Sequence, residues 1–323
     1  MRKSLLKVLS LVATMVLTAF SAAAEGQYAI LTHDGETTVF RGANSLNDAH
    51  GAAVDGDVIT LSPGVFNNVD ISKSITIHGS GIDNLEKVSY IDRLAIAHGD
   101  EDEDGKHITV SVKVEGITGN NLYIYHNETN TLVEKCRFEA ISPNPFESQG
   151  QYAALNIKHS IINDLEHKAE IVNCVIKNVC NDYVNALNSV FINQFPWHGE
   201  FTNCIVFRAN DWYDITATNT VFIHDHTKNY DSYSRFNNSM EMHGNGCLLF
   251  PEGTQVFKED SDWWELLDEN ANSWLGTDGT QVGVHGGLLP FTAKPDAPRF
   301  SVFEVADKTT DEGILNVKIR LED

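Results

Sequence analysis

A short phrase, Asn followed by a small polar residue and an apolar pair, recurs along this chain at nearly constant spacing. It reads "VNCVI" around Cys174, "LNSVF" around Ser189, "TNCIV" around Cys204 and "TNTVF" around Thr220, with intervals of 15, 15 and 16 residues. Asn173, Asn188, Asn203 and Asn219 form a second column beside the first. With looser spacing the column extends upstream to Ser160 and Cys136 and downstream to Cys247. Self-similarity at a short fixed period is the mark of a solenoid, in which each repeat packs on its neighbours.

The repeating element is rich in Val, Ile and Phe and bounded by Asn, Asp and Gly, which favours strands over helices. Too few residues separate successive strands for a crossover helix, so the connection a parallel pair requires is one full turn of a coil. Each strand then lies about 4.8 Å from its equivalent in the next coil, with stacked side chains filling the interior. Longer gaps hold polar or Pro-containing insertions such as "ISPNPFESQGQY" at 141–152, which belong in loops between coils. The small column predicts an interior corner that takes one side chain per layer, so its cysteines are expected to be free and buried. The Asn column predicts a stacked amide ladder at a bend.

The chain opens "MRKSLLKVLSLVATMVLTAFSAAAEG": Arg2, Lys3 and Lys7, an apolar run, then small residues. This pattern predicts a secretory signal over residues 1–24 and a secreted mature chain, and later apolar runs are too short to predict a membrane span. The formal net charge is -22, and loss of the basic leader makes it more negative. Such a surface repels nucleic acid, which removes it from the expected partners. Five cysteines, Cys136, Cys174, Cys180, Cys204 and Cys247, do not describe a disulfide scaffold in a chain this long.

Near the N-terminus the grammar changes. In "NSLNDAHGAAVDGDVITLSPGVFNNVDISKSITIHGSG", Asn44 or Ser45 suits the cap of a short helix through Ala53. Asp55-Gly56-Asp57 and Pro63-Gly64 turn the chain into successive strands. A helix followed by this Gly-Asp, strand, Pro-Gly, strand order resembles the opening coils of the pectate-lyase-like right-handed parallel β-helix superfamily. "GTDGTQVGVHGGLLPFTAKPDAPRF" at 276–300 resembles the closing coil of a group of secreted bacterial β-helix proteins. The resemblance implies an all-β fold: a single-stranded right-handed parallel β-helix over 25–289 with a short N-terminal capping helix. A linker at 290–298 and a C-terminal β-hairpin tail at 299–323 complete the expected organisation, the hairpin being read from apolar and polar alternation on both sides of a Gly-containing turn.

The candidate chemistry lies in loops. The 15-residue register places Trp197 on Trp212 and His198 on Tyr213, with Tyr183 one coil earlier, a column of aromatic faces suited to sugar rings. Covering the solenoid flank is the alternative role for such aromatics. Asn178, Asn193, Arg208 and His224 form a neighbouring column, with Asp225 and His226 following and Asp211 and Asp214 beside it. By the resemblance, Arg208 would be the base of a uronate lyase and His224 the proton donor, although no catalytic motif of the family matches residue by residue. Asp211 with Asp225 is the carboxylate pair a glycosidase would use. His224 and His226 supply two imidazoles on one strand face, and two ligands do not make a metal site. Asp100, Asp102 and Asp104 alternate before Gly105 like the first half of a calcium loop. Ser111 in place of the twelfth-position Glu rules out an EF-hand, leaving calcium in an inter-coil loop or a solvated insertion as two open readings. No cofactor is otherwise required, and no nucleotide fingerprint appears. The sequence thus predicts a secreted β-helix protein that binds carbohydrate on one flank, with a polysaccharide lyase or glycoside hydrolase as the alternative.

Overall fold

The computed structural model describes residues 26–125, 129–143, 154–180, 183–194, 198–207, 214–224, 246–259, 261, 263–296, 299–305 and 317–322. Residues 1–24, expected to be the signal, lie outside the described residues.

Two eleven-strand sheets, parallel except at the start of the first, dominate the fold, and from Val110 to His224 consecutive strands alternate between them. Val110–Glu115, Thr129–Glu134, Ala154–Lys158, Ala169–Val172, Val184–Leu187, His198–Thr202 and Asp214–Thr218 neighbour one another in order in the first array, here sheet A. Ile117–Ile124, Arg137–Pro143, Ile161–Leu165, Val175–Val179, Val190–Gln194, Ile205–Phe207 and Val221–His224 do the same in sheet B. One strand in each sheet makes one rung, and the all-β arrangement with long parallel sheets is compatible with a solenoid. At the start of sheet A, Tyr28–His33 runs antiparallel to both Glu36–Arg41 and Val58–Leu61. The helix Ser45–Ala52 buries Leu46 and Ala49 in the main core, as its spacing predicts. Arg299–Val305 and Val317–Glu322 form a separate antiparallel pair.

Side chains from both sheets fill the interior, with Phe138, Phe191, Phe201 and Phe222 among the largest fully buried. The small column sits at the corner where each sheet A strand turns into sheet B. Cys136, Cys174 and Cys204 are buried free thiols there, whereas Cys247 is half-buried and Cys180 exposed. Burial pushes the three corner thiols up to about 12, so they are inert at neutral pH. The corner demands more than small size. The N–H of Cys174 donates to Ser189 Oγ at 3.1 Å, that of Ser160 to Cys174 Sγ at 3.4 Å, and that of Cys204 to Thr220 Oγ1 at 3.3 Å. Each corner residue therefore supplies a heteroatom acceptor to the rung before it, which Ala could not do.

The adjoining column differs from an amide ladder. Asn173, Asn188, Asn203 and Asn219 have φ of 51°, 48°, 56° and 44°, and Lys135 and His159 share the conformation upstream. Left-handed backbone favours Asn among residues with a side chain, because its short polar group bonds locally. The Asn side chains reach outward to a different segment: Asn173 Nδ2 donates to the carbonyls of Val284 and Gly286, both at 2.8 Å, and Asn203 Oδ1 accepts from Thr277 N–H at 2.9 Å.

That segment, residues 256–296, is a strap running back over the corner. Phe257 packs on Phe207, and Trp274 on Phe250. Further on, Ala293 O accepts from Ile82 N–H, and Asp296 N–H donates to Glu115 Oε1 at 2.6 Å. Gly287 passes so close to the column that a Cβ there would meet Asn188 Nδ2 at 2.4 Å. Beneath the strap lies an outward apolar row, Ile161, Val175, Val190, Ile205 and Val221, packed with the strap's Val256, Leu266, Trp274, Val282, Val284 and Phe291. The strap thus gives the solenoid a second core on its outer surface. Residues 276–296 join this strap instead of closing a coil, and the segment expected to be a linker contains Phe291 and Ala293, both buried, and Asp296.

Candidate functional site

Five successive sheet B strands carry a pair of residues, polar everywhere except at Ala140, between inward-facing apolar or Gly positions. The quartets are "IDRL" at 91–94, "GNNL" at 119–122, "FEAI" at 138–141, "INDL" at 162–165 and "IKNV" at 176–179. Backbone pairing stacks Arg93 on Asn121, Ala140, Asp164 and Asn178. The preceding positions, Asp92, Asn120, Glu139, Asn163 and Lys177, form a parallel column. Both columns lie beside the strap-covered row and face solvent or are half-buried.

Carboxylates and amides pair along these columns. Asn120 Nδ2 donates to Asp92 Oδ1 at 2.6 Å, Asn178 Nδ2 to Asp164 Oδ1 at 2.6 Å, and Asn163 Nδ2 to Glu139 Oε2. A carboxylate has no proton to give, so each amide must turn its N–H toward the acid. Arg93 binds Asp70 Oδ1 at 2.7 Å and Tyr125 OH at 3.3 Å, and the rings of Tyr123 and Tyr125 lie 6.3 Å apart. Tyr90 flanks Asp92, and its phenol is pushed up to about 12 by burial first, then by Asp92 and Glu139. At the other end Cys180 is raised by burial and by Asp164 and Glu166. Arg137, half-buried next to Glu139, is lowered by burial and raised by that carboxylate. The result is a face of fixed carboxylates, amides and phenols that remain exposed or half-buried, whereas described strap residues bury the apolar row.

A second polar region lies on the outer face of sheet A. A concavity of about 320 Å³ is lined by Thr76, Ser111, Lys113, Asn130, Leu132 and Asn156 among others. Behind it Glu115, fully buried, sits 3.0 Å from Lys113 Nζ and 3.0 Å from His78 Nδ1, and Lys113 also reaches Glu134 Oε2 at 2.9 Å. Burial pushes the Glu115 carboxyl up, but His78, the Asp296 N–H and Lys113 outweigh it and hold it at about 2. Among the described residues, Glu115, Glu134 and Asp296 are the acids whose oxygens come within 4.8 Å of one another. The Lys113 ammonium bridges two of them and Lys135 binds Asp296, so protein cations already stand where a metal would. This cluster ties the end of the strap to the early rungs.

Of the residues singled out from the sequence, Trp197, Arg208, Asp211, Trp212, Tyr213, Asp225 and His226 lie outside the described residues. Tyr183 is 41% exposed and forms a parallel bridge with His198. His198 then pairs with Asp214 instead of Tyr213, because the interval at this rung is 16 residues. Asn178 pairs with Gln194 instead of Asn193 across a bulge. His224 ends its strand opposite Pro251. Asp100, Asp102 and Asp104 are exposed, and Asp102 Oδ1 accepts the N–H of Asp104 and of Lys106 to close a tight turn.

The acid–amide face was not singled out from the sequence. Its signal is present, a polar pair between apolar residues in successive strands, but the partners stand 28, 24 and 14 residues apart, so no single period collects them.

No family model, curated protein or solved structure matches the chain.

Proposed function

We propose that this is a secreted protein of the pectate-lyase-like right-handed β-helix kind, its helix Ser45–Ala52 acting as the N-terminal cap, that binds carbohydrate on its flank. The observation that carries this reading is the open face of sheet B, where Tyr90, Tyr123 and Tyr125 stand beside the acid–amide columns. Phenol rings offer surface to sugar C–H bonds, while fixed carboxylate and amide oxygens bond hydroxyls. Repetition at rung spacing suits a ligand that is itself a repeating chain. Tyr183 and His198, paired beside sheet A, and the sequence-derived candidates Trp197, Trp212 and Tyr213 extend the same proposal toward the later rungs.

Glycoside hydrolysis is the second reading, favoured by Glu139 and Asp164. Asp164 is one rung on and one position along from Glu139. Spacings of about 4.8 Å between rungs and about 3.3 Å along a strand put the two within the roughly 5 to 9.5 Å that paired glycosidase carboxylates span.

The test is a panel of neutral, amine-bearing and uronate polysaccharides offered to the purified protein with and without calcium. Retained binding, reducing ends and unsaturated-uronate absorbance are recorded together. Binding without turnover is the expected result; reducing ends would move the assignment to Glu139 and Asp164, and new absorbance would move it to Arg208. Absence of binding across the whole panel would sink the carbohydrate reading.

A further inference from the structure

Resting on that reading, we infer that the sheet B face selects glycans rich in hydroxyl and ammonium groups and rejects uronates. Asp92, Glu139 and Asp164 accept only, and each takes an amide N–H from the next rung. Asn120, Asn163 and Asn178 thereby spend one of their two N–H donors on the protein and keep their oxygens and one N–H each for a ligand. Arg93, the cation at the N-terminal end of the face, is engaged by Asp70 at 2.7 Å and by Tyr125. Arg137 lies against Glu139 and is half-buried, and Lys177 stands at the far end of its column. Five acids, Asp70, Asp92, Glu139, Asp164 and Glu166, thus outnumber three cations, Arg93, Arg137 and Lys177, along these rungs.

Two side chains border the same carboxylates. The Tyr90 phenol at one end and the Cys180 thiol at the other are raised by burial first and then by these carboxylates, in keeping with an acidic face. A carboxylate-bearing sugar brought here meets a net excess of like charge. An ammonium-bearing sugar meets the reverse, and its hydroxyls find the same oxygens. The whole chain, at a net charge of -22, adds a long-range field of the same sign.

The experiment compares three oligosaccharides of equal length by titration calorimetry at low salt. They are a deacetylated chitosan oligomer, its fully N-acetylated neutral counterpart, and an oligogalacturonate, at mildly acidic pH where sugar amines are protonated and carboxylates ionised. The full chain is used, alongside the variant Asp92→Asn, Glu139→Gln, Asp164→Asn, which keeps side-chain size at exposed or half-buried positions. The expected order is amine-bearing, then neutral, then uronate, with about a tenfold step between the first and last that shrinks in the variant and with added salt. Uronate binding equal to or tighter than the amine-bearing oligomer overturns the inference and leaves carbohydrate binding standing. So does an amine preference that the variant retains in full, because the attraction would then lie elsewhere on the acidic surface. Equal binding of the amine-bearing and neutral oligomers removes the role of charge and also overturns it. Failure of all three to bind, with the variant and parent equally folded by circular dichroism, counts against the carbohydrate reading itself.

Discussion

Two neighbouring columns on the same sheet face have opposite characters. At the start of the sheet B strands, Ile161, Val175, Val190, Ile205 and Val221 point outward and are buried. Two or three residues later, Asn163, Asp164, Lys177 and Asn178 also point outward and remain accessible. The backbone is the same parallel ladder in both places. What differs is the cover: the strap lies on the first column and leaves the second to water. Outward position in a parallel array therefore does not by itself dictate polarity, because a segment far away in sequence can turn an outer row into a core.

The strongest way to break this comparison is to remove an anchor of the cover. Trp274→Ala vacates the middle of the outer core and is expected to cost about 3 to 5 kcal/mol, with the strap loosened from Phe250. Urea unfolding together with protease sensitivity within 256–296 measures it, and a loss below about 1 kcal/mol would mean that the strap rests loosely on the row.

Asn203 separates backbone from side-chain effects. Asn203→Gly keeps the left-handed corner and loses the Thr277 bonds, for a cost of about 1 to 2 kcal/mol. Asn203→Ala adds the Cβ strain and is expected to cost about 1 kcal/mol more in the same unfolding assay. Equal values would assign the column's Asn preference to the strap bonds alone.

Acid probes the ion cluster at the strap's end. The Glu115 carboxyl is held below its ordinary value of 4.5, at about 2. Its contribution to stability is therefore present above the ordinary value and is lost as pH falls toward about 2. The melting temperature should fall across that window, and Glu115→Gln should flatten the fall. A variant that keeps the parent's full acid slope would place the sensitivity on other groups.

The smallest effect is expected on the open column. Asn178→Ala removes one amide from Asp164 at a part-buried site and should change stability by less than about 1 kcal/mol, while weakening glycan binding in the calorimetric titration.

Legibility followed periodicity. Cys174, Ser189, Cys204 and Thr220 repeat at near-constant intervals, so parallel stacking and the buried corner could be read directly. The Asn beside them was also visible, yet its left-handed backbone and its bonds to Val284 and Gly286 were not, because the partner lies more than a hundred residues away in a segment that does not repeat. The strap carries Gly, Pro and isolated aromatics in no regular order, and nothing local in it signals an apolar row waiting to be covered. The acid–amide face failed to declare itself for a related reason: Asp92 and Glu139 belong to early rungs whose intervals are stretched by insertions, so Asn120 and Asn163 are not found by counting fifteen residues. Local composition there announces a polar strand edge; only stacking turns it into paired columns.

The strap also has a consequence in time. Its contacts close separations of 74 residues at Asn203 and Thr277, 111 at Asn173 and Val284, and 181 at Glu115 and Asp296. Rungs can stack one on the next as the chain emerges, each step local and fast, but the outer row of Ile161, Val175, Val190, Ile205 and Val221 stays bare until residues 256–296 arrive. A nascent chain of this protein therefore carries an adhesive stripe along a nearly finished solenoid, and a segment synthesised after the stacked rungs is the one that silences it.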